Sequence, residues 1–161
     1  MGARVSIQLL GPVTVEVAGA PLAVDTRKAT ALLAYLAVTG RPASRESLAA
    51  LLWPEAEGSD ARAALRRTLS VLNAGLGDGA LAIDRTSVAL RDDVAEVDLA
   101  RFRAALGRAR KHRHEPNAAC RSCVKALEEA LALDRGEFMS GFALRDSEAF
   151  DEWQVAEAES H

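Results

Sequence analysis

The chain has 161 residues, of which 49% are hydrophobic and 27% are charged, and its formal net charge is −3. This composition is typical of a globular protein with one large or two small domains, and it excludes a strongly basic, histone-like binder of nucleic acid. No apolar run approaches the roughly 18 residues of a membrane span, and the N-terminus lacks the pattern of a secretion signal, so we expect a cytoplasmic protein without a membrane partner.

The first part of the chain is predicted to form a small antiparallel sheet. Apolar residues alternate along residues 4–10 and again along residues 13–17, and the Gly11-Pro12 pair separates the two runs. A turn at Gly19 precedes a third short strand near residues 22–24. Three strands are therefore predicted before the first helix.

Three helices follow, because the apolar period changes from two residues to three or four. They are predicted over residues 27–38, 44–53 and 61–76. Ser44 is the predicted N-cap of the second helix, and Ser59 or Asp60 is that of the third.

The remainder of the chain is predicted as a hairpin and then helices alone. Two short alternating runs within residues 81–91 indicate the β-hairpin. We place a domain boundary after it, with an α+β unit of order β-β-β-α-α-α-β-β over residues 1–95 and an all-α unit over residues 96–161. Asp98 and Asp146 are predicted helix caps in the second unit. The last helix ends without a C-cap signal, so we expect the natural chain to be longer.

The predicted helix over residues 61–76 has two contrasting faces. Leucines recur every three or four residues and predict a buried stripe. The other side is polar and basic, and residues 61–77 contain no acidic residue. Its polar residues are Arg62, Arg66, Arg67, Ser70 and Asn73. One helix fits a DNA major groove, and arginine suits bidentate contact with guanine or forked contact with phosphate. We predict that these five residues contact double-stranded DNA and that Arg85 and Thr86 of the hairpin contact it alongside.

A second class of function remains open, because exposed arginines are also common on helices that bind nothing. In this alternative the chain is a protein-interaction module that does not bind DNA and uses the helical half as a scaffold for a partner. The two hypotheses make different predictions for Arg66 and Arg67. Replacing either residue weakens DNA binding if the chain is a DNA-binding regulator, whereas the protein-interaction module has no DNA binding to weaken.

No motif predicts an enzyme. Gly75, Gly77 and Gly79 lie between a helix and a strand, without the lysine of a phosphate-binding loop, and are interpreted as a turn. Ser44 lacks the surroundings of a nucleophile.

Four residues with metal-ligand chemistry lie within twelve positions of one another. They are His112, His114, Cys120 and Cys123. Two cysteines and two histidines make a complete tetrahedral set for a structural zinc ion. Two other interpretations stay open: the cysteines are buried or free thiols, or they form a redox pair, although the thioredoxin-like setting of such a pair is missing. Zinc is the single cofactor that the sequence suggests.

Several stretches, taken in order, resemble activators of the AfsR/SARP type. They are Leu9-Leu10-Gly11-Pro12, residues 27–38, residues 44–48 with Leu52-Trp53-Pro54, residues 61–73, residues 97–102, and the tail with Gly136-Glu137-Phe138, Gly141-Phe142 and residues 150–153. The resemblance implies an OmpR/PhoB-type winged helix-turn-helix domain followed by a tetratricopeptide-like bacterial transcriptional activator domain.

The resemblance also implies a function for the whole protein. Such a protein activates transcription by binding promoter repeats, as a homodimer or head-to-tail pair, and by contacting RNA polymerase. Ala74-Gly75 departs from the pattern, because relatives commonly place a further basic residue there.

Overall fold

The computed structural model of the chain describes residues 5–24, 26–113 and 120–161. The elements of the first half are β1 (Val5–Gln8), β2 (Thr14–Val17), β3 (Ala20–Pro21), α1 (Arg27–Thr39), β4 (Ala43–Ser44), α2 (Arg45–Leu52), α3 (Gly58–Leu76), β5 (Leu81–Ile83), β6 (Ser87–Leu90) and β7 (Ala95–Val97). Those of the second half are α4 (Asp98–Lys111), α5 (Arg121–Leu133) and α6 (Glu148–Glu159). The chain therefore combines a mixed α/β first half with a helical second half, as predicted. Among the described residues, no helix is both long and apolar enough to cross a membrane.

The strands form two small sheets. The first has the order β3-β2-β1-β7, in which β1 pairs antiparallel with β2 and parallel with β7. Val5, Ile7 and Val15 of this sheet are almost completely buried, so one face of the sheet is directed at the core. The second sheet has the order β4-β6-β5, which attaches the β5–β6 hairpin to the strand that precedes α2.

The predicted order of strands and helices is present, with two additional strands, but the third strand lies at Ala20–Pro21 and not near residues 22–24 as predicted. β4 and β7 have two and three residues, respectively, which is too short for a recognisable alternation in sequence. The predicted domain boundary between residues 95 and 96 lies within β7, whose pairing partner is β1 at the start of the chain.

The predicted cap of α3 is wrong, because the helix begins earlier than its apolar pattern does. It starts at Gly58, and its N-cap is Glu57, whose side chain makes no capping hydrogen bond. Ser59 and Asp60 therefore lie inside the first turn, where the negative charge of Asp60 is favourable next to the helix N-terminus.

Two other predicted caps are tertiary contacts instead. Asp98 is the first residue of α4, and its carboxylate binds backbone outside the helix. The Asp146 carboxylate lies 2.9 Å from Nζ of Lys28. The N-cap of α6 is the next residue, Ser147, whose hydroxyl oxygen accepts a hydrogen bond from the Phe150 N–H at 3.2 Å.

The two halves share one apolar core. Ile7 from the first half and Phe150 from the second both have 0% exposure and belong to the same cluster of buried residues. Backbone hydrogen bonds also join the halves, including one from the Met139 N–H to the Leu9 carbonyl oxygen at 2.8 Å. The helical half therefore supports the fold of the mixed α/β half directly.

Candidate nucleic-acid interface

Helix α3 is held in place by one face. Leu65, Leu69, Leu72 and Leu76 are between 1% and 3% exposed, as their spacing predicts. Burial of each such side chain contributes roughly 1.5–3 kcal/mol relative to exposure. The leucines therefore fix the rotation of the helix and, with it, the direction of the opposite face.

The predicted DNA-binding residues of α3 lie on or beside that opposite face. Successive helical residues are rotated by about 100°, so Arg67 projects away from the leucine stripe with Ser70 beside it, and Arg66 lies on the flank of the helix. Arg62 and Asn73 lie nearer to the border of the stripe. All of them are exposed except Asn73, which is half-buried.

The arginines of α3 are not neutralised by the fold. Within residues 5–24, 26–113 and 120–161, no ion pair and no side-chain hydrogen bond involves Arg62, Arg66 or Arg67. In contrast, Arg91 pairs with Asp93 at 2.6 Å. The guanidinium groups of α3 are thus exposed to solvent without a described acidic partner.

The β5–β6 hairpin is fixed beside the start of α2. Arg45 donates two hydrogen bonds to it, from its backbone N–H to the Thr86 carbonyl oxygen at 2.8 Å and from Nη1 to the Asp84 carbonyl oxygen at 3.0 Å. The Asp84 carboxylate accepts hydrogen bonds from the N–H groups of Thr86 and Ser87, at 2.8 and 2.7 Å, and these bonds lower its pKa. Arg85 and Thr86 are exposed at the tip, where the sequence places them.

Two basic residues near this surface were not predicted. Arg45 braces the hairpin, as described above. Lys28 lines a cavity of about 400 Å³ together with Trp53 and Arg67. Its Nζ lies 5.2 Å from the centre of the Trp53 ring and also pairs with Asp146, so it is engaged within the fold. From the sequence, Arg45 and Lys28 are recognisable only as basic residues near the start of a helix. Their contacts could not be predicted, because the partner residues are distant in sequence.

The structure brings together three of the four predicted metal-site residues. Nδ1 of His112 lies 3.0 Å from Sγ of Cys120 and 3.3 Å from Sγ of Cys123. His114 lies outside the described residues. Both cysteines are free thiols and half-buried. The Cys123 N–H donates to the Cys120 sulfur and lowers the pKa of Cys120, whereas desolvation raises the pKa of Cys123.

One solved structure supports the class of protein that the sequence suggests. No family model matches the chain, and no curated protein matches it. The chain is similar to Mycobacterium tuberculosis EmbR, whose structure was solved in complex with a low-affinity phosphopeptide, with a TM-score of 0.68 and 26% sequence identity. The match covers 99% of this chain and 43% of the EmbR chain, so the chain spans less than half of that neighbour. This likeness supports a SARP-type regulator, the class that the sequence suggests.

Proposed function

We propose that the chain is the DNA-binding part of a SARP-type transcriptional activator, with a winged helix-turn-helix over residues 1–95 and the start of a tetratricopeptide-like activator domain over residues 96–161. In this proposal α3 enters the major groove, α2 crosses the DNA backbone, and the β5–β6 hairpin is the wing. The observation that carries the proposal is the orientation of α3, whose leucines are buried while its arginines are exposed and have no ion pair within the described part of the chain.

The dimensions and chemistry of α3 suit this role. It has 19 residues, which corresponds to a length of roughly 28 Å at about 1.5 Å per residue. An α-helix with its side chains fits the B-DNA major groove, which is about 12 Å wide. Arg66 and Arg67 are the residues assigned to base edges or phosphates, and Ser70 and Asn73 supply shorter donors and acceptors.

The hairpin supplies the second contact. Because Arg45 and β4 hold it to the start of α2, Arg85 and Thr86 keep a constant position relative to the helices. They are assigned to phosphates or to the adjacent groove. The proposed activator function also includes contact with RNA polymerase and pairing of two protomers on promoter repeats. Sedimentation of the chain with a two-repeat duplex tests the pairing. One protomer per duplex at saturation would contradict the pairing.

A DNA titration tests the proposal. A duplex selected by the wild-type chain from a random-sequence pool is titrated by fluorescence polarisation at two salt concentrations. We expect affinity to fall as salt rises, because phosphate contacts release counterions. Arg67→Ala and Arg66→Ala should each weaken binding about 5- to 150-fold if the residue reads a base, which corresponds to roughly 1–3 kcal/mol.

Arg145→Ala is the matched control, since Arg145 is also an exposed arginine but lies in the helical half. We expect it to bind DNA as the wild type does. If the folded wild-type chain shows no salt-dependent DNA binding, the proposal is wrong and the protein-interaction alternative is favoured. Equal losses in all three variants would also contradict it, because they would reflect net charge rather than a specific face.

A further inference from the structure

We infer that His112, Cys120 and Cys123 form a zinc-binding site that fastens the end of α4 to the start of α5. This inference goes beyond DNA binding, because the three residues lie in the helical half and none belongs to α3 or the hairpin. His112 follows the last residue of α4, Cys120 is the N-cap of α5, and Cys123 lies in the first turn of α5.

The distances among the three donor atoms suit a metal ion. Nδ1 of His112 and the two sulfur atoms all lie within 4.8 Å of one another, and the two nitrogen–sulfur distances are 3.0 and 3.3 Å. Typical zinc bonds of about 2.0–2.1 Å to nitrogen and about 2.3 Å to sulfur, at tetrahedral angles, would separate nitrogen from sulfur by roughly 3.6 Å. A small outward movement of the side chains therefore accommodates the ion.

The donor set selects the metal. Two thiolates and one imidazole are ligands that favour zinc over the hard cations magnesium and calcium, which prefer oxygen. Three protein donors leave one tetrahedral position for a further ligand. Two thiolates also neutralise the charge of the ion, which matters beside the basic end of α4, where Arg108, Arg110 and Lys111 occur.

The buried side chains that α4 and α5 contribute to the middle of their contact are small. The buried residues of α5 are Ala126 and Ala130, and Ala105 is the buried residue of α4 beyond its first turn. Each alanine buries little apolar area, so these three side chains contribute little through the hydrophobic effect. An ion pair between Arg108 and Glu129 at 2.5 Å is exposed and adds little. A metal ion bound by residues of both helix ends would add stability at this junction.

Zinc content and cobalt substitution test the inference. The whole chain is prepared without an affinity tag and without chelator, under reducing conditions. We expect one zinc ion per chain by elemental analysis. We also expect that replacing zinc with cobalt gives the thiolate-to-cobalt charge-transfer absorption and the visible bands of a tetrahedral site. Removal of the ion should lower the thermal midpoint, because metal binding is coupled to the order of the α4–α5 junction.

Variants locate the site on the three residues. Cys120→Ser, Cys123→Ser and His112→Ala should each lose the zinc and the cobalt absorption. Ser122→Ala and His161→Ala are the matched controls, one between the cysteines and one a histidine elsewhere, and both should retain the ion. If a cysteine variant fails to fold, zinc release from the wild type on addition of a strong chelator and the cobalt spectrum of the same protein still decide the question.

Three results would overturn the inference. The first is a folded wild-type chain with two titratable thiols that contains no zinc and gives no cobalt absorption. The second is a Cys120–Cys123 disulfide that forms in place of metal binding, which would favour the redox alternative. The third is zinc that binds the control and ligand variants equally, which would identify the ion as adventitious. None of these results bears on DNA binding by α3.

Discussion

At the scale of single residues, Asp98 has a tertiary role in place of the predicted helix cap. It is 7% exposed, and its carboxylate accepts hydrogen bonds from the N–H groups of Leu9 at 2.8 Å, Leu10 at 2.9 Å and Leu99 at 2.7 Å. It thereby joins the start of α4 to the segment that follows β1. Three backbone N–H groups supply this buried carboxylate with hydrogen bonds. If the carboxylate were removed, the buried N–H groups would have no acceptor, which costs free energy.

We predict that Asp98→Ala destabilises the protein by about 1–3 kcal/mol or more, because the buried N–H groups of Leu9 and Leu10 would lose their acceptor. Urea unfolding followed by circular dichroism measures the change. Asp92→Ala is the control, since Asp92 is exposed and near in sequence, and it should change stability by less than about 0.5 kcal/mol. A similar small effect for both variants would contradict the prediction.

At the scale of elements, sequence identifies a possible cap but not always the one that is used. Ser44 is confirmed as the N-cap of α2, where its hydroxyl oxygen accepts the Ser47 N–H at 3.0 Å. Ser59, an equally plausible candidate by residue type, lies inside α3 and does not cap it. The two serines differ because α2 begins directly after Ser44, whereas α3 begins at Gly58, before Ser59.

This contrast gives a prediction with its own internal control. Ser44→Ala should cost about 0.5–2 kcal/mol, because one N-terminal N–H of α2 would lose its acceptor. Ser59→Ala should leave the free energy of unfolding almost unchanged, because alanine has a higher helix propensity than serine and this offsets small losses. Chemical denaturation of the two variants beside the wild type measures both values. Equal costs would mean that α3 begins later in solution than in the structure.

The long elements were predictable because their signals are local. The leucine stripe of α3 and the alternation around Ile7 are readable from the residues themselves, and both are buried as predicted. β4 and β7 were not predictable, because each is defined by pairing with a strand far away in sequence. The same holds within the candidate sites. The exposure of the α3 arginines follows from the apolar periodicity of the helix. The hydrogen bond from Arg45 to the hairpin and the ion pair between Lys28 and Asp146 depend on the tertiary fold.

At the scale of the whole molecule, the two halves are joined by more than chain continuity. The Ser147 hydroxyl donates to the Leu51 carbonyl oxygen at 2.5 Å, and Arg27 Nε donates to the Ala143 carbonyl oxygen at 3.1 Å. Trp153 of α6 packs against Tyr35 of α1, with ring centres 5.0 Å apart. These contacts join the helical half to α1 and to the end of α2.

We therefore predict that the chain unfolds in one cooperative transition, although the sequence suggested two domains. The chain has two tryptophans, Trp53 after α2 and Trp153 in α6, so Trp153→Phe and Trp53→Phe give variants in which fluorescence reports one half at a time. Because the halves share one core, loss of either exposes apolar surface of the other. Each variant should show the same urea midpoint by fluorescence and by circular dichroism. Two separate midpoints within one variant would contradict this prediction, because they would show that the two halves unfold independently of one another.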